Sequence, residues 1–204
     1  SLSTDDAMRL VEVRDFLAGQ SWFDMTQYRL DPPAGVVMHW SRLIDLPLAL
    51  LMKFGSMFLS TALAEKIVLT IWPATLLLVF LAGASQLARE LAGHTAARMA
   101  LIFSVLMAPV LQDFHSGAIH HHNVQLALAI WSLAFFVRTP LRARDSVIAG
   151  FLCALSVAIG QQMVPAVATL AAVVGLRWVV DGDRCRRATV AFGISIASGA
   201  AILA

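Results

Sequence analysis

The sequence predicts an all-α fold: a polytopic transmembrane helix bundle preceded by an extracytoplasmic first loop that contains interfacial helices. Three observations predict it. Of the 204 residues 59% are hydrophobic and 14% charged, against roughly 45–50% and about 25% in an ordinary soluble domain. The mean hydropathy is +0.76, and the apolar residues are gathered into long runs. The basic residues sit in short segments between those runs, where Lys and Arg mark the cytoplasmic side of a membrane protein. A soluble core could not cover so much apolar surface, so lipid is the expected solvent for most of the chain.

Residues 1–62 are expected to form one extracytoplasmic region. Its balance is acidic, with seven Asp and Glu against four Arg through residue 45, whereas residues 46–204 hold eleven basic and six acidic groups. Ser3-Thr4-Asp5-Asp6 supplies a cap and first-turn acids, and Leu10, Val13, Phe16 and Leu17 follow at helical spacing. A helix is therefore expected to open there and to end at Gly19. Asp31-Pro32-Pro33-Ala34-Gly35 reads as a loop. From residue 43 to 62, Leu46 to Met52 is apolar but Lys53, Gly55 and Ser56 interrupt, which suits a helix lying in the outer interface. No signal peptide is visible at Ser1, and the sequence reads as opening mid-protein.

Residues 63–204 are expected to form a transmembrane bundle of about six helices. Ile67 to Ala88 is an uncharged run of 22 residues, enough to cross a hydrocarbon core of about 30 Å. Further apolar runs occupy Met99 to Gln112, Asn123 to Val137, Ser146 to Leu176 and Ala188 to Ala204. The run from Ser146 is 31 residues long, with Gly160-Gln161-Gln162 and Pro165 at its middle, and turn chemistry there predicts a hairpin. The basic segments Arg89 to Arg98, Arg138 to Arg144 and Arg177 to Arg187 then all fall on one side, as the distribution of positive charge requires. Cys153, in an apolar run, and Cys185, in a basic segment, are not placed to pair.

Composition and motifs exclude several functions. A nucleic-acid binder needs a basic stripe with interleaved aromatics, which is absent, so no nucleic-acid partner is expected. No CxxC, HExxH, GxSxG or Walker-type loop occurs. What remains is polar chemistry on the predicted outer side: Asp5 and Asp6 near the start, and Asp113, His115, His120, His121 and His122 between two apolar runs. Carboxylates and imidazoles ligate Mg, Mn or Zn, and a divalent ion at a membrane surface can neutralise a phosphate leaving group. The competing readings are a capping role for the two aspartates and a solvated, pH-sensitive His loop.

Here the residues carry a resemblance. Asp5-Asp6-Ala7-Met8-Arg9, Arg14-Asp15-Phe16-Leu17-Ala18-Gly19, Trp22-Phe23-Asp24, Tyr28, Pro33, Gly35 and His39-Trp40 resemble the first external loop of GT-C glycosyltransferases. The similarity is greatest to catalytic subunits of oligosaccharyltransferases. Gly117-Ala118-Ile119-His120-His121-His122-Asn123 resembles that family's Gly-x-x-Asp-His-His step, with His121 and His122 at the two His positions and His120 where the family has Asp. The resemblance implies a catalytic and metal-binding carboxylate at Asp6, with Asp5 as its neighbour, and an ion held by Asp6, His120 and His122. Asp113 stands near enough in sequence to compensate for the missing acid. The family pattern also implies a helix before Asp5 and a further acidic external loop and soluble domain after Ala204.

The function so implied is transfer of a sugar or oligosaccharide from a polyprenyl-phosphate-linked donor on the outer face of a bacterial-type inner membrane. Mg or Mn is the expected ion, Arg9 the donor-phosphate residue, and membrane lipid and partner subunits the surroundings. Local pairing competes with phosphate binding at Arg9, Arg14, Arg29 and Arg42, since Asp6, Asp15, Asp24 and Asp45 stand nearby. Two alternatives remain open: a noncatalytic membrane subunit with a degenerate GT-C architecture, and a transporter. The apolar runs contain no ionisable residue of the kind a transport pathway uses.

Overall fold

The computed structural model describes residues 2–107 and 111–203. Helix makes up 76% of the described residues, so the all-α expectation holds. The segments are α1 (Thr4–Leu17), β1 (Thr26–Gln27), β2 (Val36–Val37), α2 (Arg42–Ser56), α3 (Thr61–Leu106), α4 (His122–Phe136), α5 (Ala143–Ile159), α6 (Val164–Asp181) and α7 (Arg186–Leu203). Two short 3-10 turns, Gln161–Met163 and Gly182–Arg184, flank α6. The strands form a single antiparallel pair in the register Thr26↔Val37 and Gln27↔Val36.

The chain divides into two compact units, one holding the residues up to Thr75 together with Asp113–Asn123, the other Leu76–Gln112 and the residues from Val124. This differs from the boundary expected at residues 62 and 63. The segment 113–123 joins the N-terminal unit because hydrogen bonds to α1 and α3 anchor it there, a tertiary relationship that hydropathy does not encode.

In the first unit, α1 opens as its sequence predicts. The Ser3 hydroxyl accepts from the Asp6 amide at 3.1 Å, and the Asp6 carboxylate reaches back to the Ser3 amide at 3.4 Å. This reciprocal cap satisfies two of the donors a helix start leaves open. The helix ends at Leu17 with Ala18 as its cap, one residue before Gly19. The α2 helix begins at Ser41, whose hydroxyl accepts from the Leu43 amide. Buried Leu10 and Val13 of α1 and Ile44, Leu48 and Met52 of α2 form the apolar part of this unit's core. An ionic network crosses the same two helices and is described with the site.

In the second unit the predicted breaks appear where the turn residues lie. The helical run Thr61–Leu106 is interrupted at Ala92 (φ −145°, ψ 15°) and Gly93 (φ 81°, ψ −172°), inside the first basic segment. The 31-residue apolar run is two helices, not one, broken after Ile159 at Gly160. Phe136, Ala149, Cys153, Leu170, Val174 and Phe192 form the buried core of α4 to α7. Ser195 of α7 donates to the Val147 carbonyl of α5 at 2.7 Å.

The two ends of this unit differ in chemistry. At one end the Gln125 side-chain amide donates to the carbonyls of Ser156 (3.1 Å), which also accepts from the Gly160 amide, and of Gly160 (2.9 Å), where α5 stops. At the other, Arg138 pairs with Asp145 (2.7 Å) and Glu90 (3.6 Å) and lies 4.4 Å from the Phe135 ring. Arg177 stands 5.9 Å from the ring of Phe136. Residues of all three basic segments thus meet around the last turn of α4.

Among the described residues two helical stretches, Thr61–Leu106 and Gln161–Arg184, are long and apolar enough to cross a membrane. Only 17% and 11% of their most apolar windows are buried, so neither is the covered core helix of a soluble protein. Leu78, Val179 and Val180 are among the side chains left exposed, at 68%, 78% and 82%.

Candidate metal centre

The site grows from the short segment between Asp113 and His122, which α1 and α3 hold from two sides. Pro73 is buried inside α3 and has no amide hydrogen, so the Leu69 carbonyl one turn earlier lacks its helical donor. The Gly117 amide takes that place, donating to the Leu69 oxygen at 2.8 Å. Gly117 adopts φ +97°, and a Cβ there would lie 2.9 Å from Leu2 Cδ2. Both the positive φ and the crowding select glycine. Nearby, the hydroxyls of Thr70 and Ser116 stand 3.3 Å apart.

From the other side Asp6 binds the same segment. Its Oδ1 accepts from the amides of Ile119 (2.8 Å) and His120 (2.9 Å) and lies 2.8 Å from His120 Nδ1. Its Oδ2 accepts from the Ser3 hydroxyl at 2.6 Å. The carboxylate is fully buried. Burial alone would push its pKa up, but the hydrogen bonds from His120, Ser3 and the Ile119 amide outweigh it and hold the group well below the usual carboxylate range.

This arrangement fixes His120. With Nδ1–H assigned as donor to Asp6, Nε2 is left facing Asp113 Oδ1 at 3.3 Å. Two lone pairs at that separation repel unless a proton or a metal ion lies between them. The proton solution has electrostatic support: the hydrogen bond to Asp6 raises the His120 pKa against the opposing effect of burial, and Asp113 adds to the rise. The metal solution is equally open to the geometry. Asp113, His120 and His122 each offer one ligand atom, and these atoms lie within 4.8 Å of one another. The 3.3 Å between His120 and Asp113 matches the edge of a tetrahedron around an ion at about 2.0–2.1 Å. The Asp6–His120 pair supplies the carboxylate–imidazole support that metal-binding histidines commonly have.

The structure therefore brings together the two sequence clusters, Asp6 and the triple-His segment, but revises the part Asp6 plays. It stands behind His120, with both oxygens engaged and no surface open to an ion or a substrate. Asp113 takes its place in the ligand cluster. Asp5 is exposed at the same helix start, and His122 is the first residue of α4.

His121 is buried between its neighbours, its ring 4.6 Å from that of His122 and 6.2 Å from that of Trp40. Burial, helped by His122 and Arg9, pushes its pKa down to about 4, so it is a neutral imidazole at pH 7. His39 and Trp40 pack edge to face beside it.

Arg9 does not reach this centre, and the expectation that it binds a donor phosphate is corrected. It is fully buried. Its Nη1 bonds Asp45 (2.8 Å) and the Ser41 carbonyl (3.3 Å), and the guanidinium lies 4.6 Å from the Trp40 ring centroid. Arg42 takes the second Asp45 oxygen at 3.0 Å and also donates to the Glu12, Gln20 and Asp24 oxygens. These arginines join α1 to α2, so the local-pairing alternative describes them. It also describes Arg29, paired with Asp15, whereas Arg14 pairs with Glu65, 51 positions away and outside the acids expected as partners. Glu12 completes the network at 3.5 Å from Arg9. Burial, with Asp45 adding to it and Arg9 opposing, raises its pKa to about 7.

One signal for the docking bond lies in the sequence itself: Pro73 inside an apolar helix, which leaves a carbonyl one turn earlier without its donor. No family model matches the chain, and no match was found among curated proteins or solved structures.

Proposed function

We propose that the protein is an integral membrane enzyme with a divalent-metal centre at Asp113, His120 and His122 on the extracytoplasmic side of a bacterial-type inner membrane. It transfers a sugar or oligosaccharide from a polyprenyl-phosphate-linked donor. The observation that carries the reading is the convergence of Asp113, His120 and His122 within 4.8 Å, with Asp6 locking the His120 imidazole from behind. Sidedness is supported by the gathering of the three basic segments around the last turn of α4, because such segments stay cytoplasmic. The substrate class rests on the likeness of residues 5–40 and 117–123 to oligosaccharyltransferase catalytic subunits.

Each residue then has a role. Asp113, His120 and His122 hold the ion, and Asp6 keeps the proton on His120 Nδ1 so that Nε2 is free to ligate. The bound ion supplies positive charge to a phosphate leaving group. Two imidazoles and one carboxylate suit Mn(II) or Zn(II) better than Mg(II), which prefers oxygen ligands. Asp5 is the exposed carboxylate of this helix start and is assigned to acceptor contact.

The test is reconstitution in liposomes with a polyprenyl-phosphate-linked sugar. Chelation should abolish transfer, Mn(II) or Zn(II) should restore it, and His122→Ala should remove both ion binding and transfer. Unchanged transfer in that variant sinks the enzyme reading. His120 at the family's Asp position favours a second reading, a noncatalytic subunit. Ion binding without transfer, alone or with partner subunits, is its expected outcome.

A further inference from the structure

A second, unrelated feature lies where the C-terminal turns of α1 and α2 approach the first turn of α3. A cavity of about 410 Å³ opens there, lined on its polar side by Arg14, Lys53, Ser56, Thr61 and Glu65. Glu65 grips Arg14 through both oxygens, at 2.9 and 2.7 Å, so those two charges cancel and the guanidinium is held in place. Lys53 has no ion partner among the described residues, which leaves the cavity with one uncompensated positive charge beside two hydroxyls. That is the complement of a singly charged phosphodiester.

Leu17 and Met52 supply the apolar part of the lining, and the surface next to Lys53 on α2 is apolar too. Phe54, Met57 and Phe58 follow Lys53 on α2 and its C-terminal turn and are 63%, 71% and 72% exposed. The rings of Phe54 and Phe58 pack edge to face with centroids 5.4 Å apart. Three large side chains exposed together need cover, and they border the start of a helix long and apolar enough to cross a membrane. A free phosphate would fill the polar part and leave these exposed side chains bare. An anionic lipid satisfies both, with its headgroup on Lys53 and its chains on the apolar surface of Phe54, Met57 and Phe58.

We propose that this cavity is a binding site for an anionic phospholipid of the leaflet in which α2 lies. The inference rests on the membrane-embedded reading given above. The probe is phosphatidylglycerol, tested on the whole protein in phosphatidylcholine nanodiscs with and without it, with retained lipid read by native mass spectrometry. Lys53→Gln should lower phosphatidylglycerol retention about fivefold, the effect of one lysine near an anionic bilayer. Lys53→Arg should restore retention, and Lys66→Gln, exposed but outside the cavity, should leave it unchanged. Equal losses in Lys66→Gln and Lys53→Gln would mean that only bulk charge matters and would overturn the site. Inorganic phosphate should not raise the thermal unfolding temperature in phosphatidylcholine discs; a rise matching that from phosphatidylglycerol overturns the lipid assignment. Release of the protein from carbonate-washed membranes overturns the membrane reading itself. Retention with Lys53-independent phosphatidylglycerol binding overturns the site alone.

Discussion

The amide of Gly117 donates to the carbonyl of Leu69 at 2.8 Å, and it does so at the one place in that turn where Pro73 cannot. A defect in α3 is thus the docking point for the segment that carries the metal ligands. Gly117→Ala forces a side chain onto φ +97° and against Leu2, at a cost of roughly 1–3 kcal/mol. Pro73→Ala restores an amide that competes for the same oxygen. Both variants should remain helical by circular dichroism yet bind Mn(II) or Zn(II) more weakly in calorimetry. Unchanged affinity in both would dissociate the docking bond from the centre.

Asp6 is expected to act on the ion through His120. Asp6→Asn keeps the size of the side chain but removes the charge that fixes the imidazole, so ion affinity should fall about 10–100-fold. His122→Ala and Asp113→Ala should each lose binding outright. Asp6→Ala also strands the buried amides of Ile119 and His120, and unfolding should become easier by about 3 kcal/mol. Calorimetry and thermal unfolding separate the two effects.

Glu12 gives the protein a pH dependence of definite sign. Its folded pKa, about 7, stands above the ordinary value of 4.5, so between those values the folded state holds a proton that the unfolded state has released. Stability should therefore fall as pH rises through that window, by up to about 3 kcal/mol, and level off above it. Glu12→Gln should flatten the profile and match or exceed the wild type at pH 8. Chemical denaturation at a series of pH values measures this directly, and a variant as steep as the wild type would assign the slope to another group.

Topology can be read by cysteine labelling in a background lacking Cys153 and Cys185. His94→Cys, Thr139→Cys and Asp183→Cys lie in the three basic segments and should react with an impermeant maleimide from the same side of sealed vesicles. His115→Cys, in the segment between α3 and α4, should react from the opposite side. Labelling of all four from one side would remove the extracytoplasmic placement of the metal centre.

Local chemistry was enough to predict much of the secondary structure. The cap at Ser3, the end of α1 before Gly19, the break at Gly160 and the gathering of basic segments all follow from interactions within a few residues or from the side preference of charge. The meeting of Asp6 with His120 was expected only through a shared ion; the direct bond between them spans 114 positions. Arg9 shows the limit most clearly. Its sequence neighbours left phosphate binding and pairing with a nearby acid equally open, and its partner is Asp45, 36 positions away.

Helix, apolar runs and the types of ligand available were legible in the residues alone. Which ligands converge was decided by tertiary structure, because α1 must bury Asp6 to satisfy the amides of Ile119 and His120, and α3 must find a donor for the Leu69 oxygen. Those two demands place Asp113 beside His120 and turn Asp6 from a ligand into its support. Backbone hydrogen-bond satisfaction across the fold is invisible to composition and spacing, and here it fixes the chemistry.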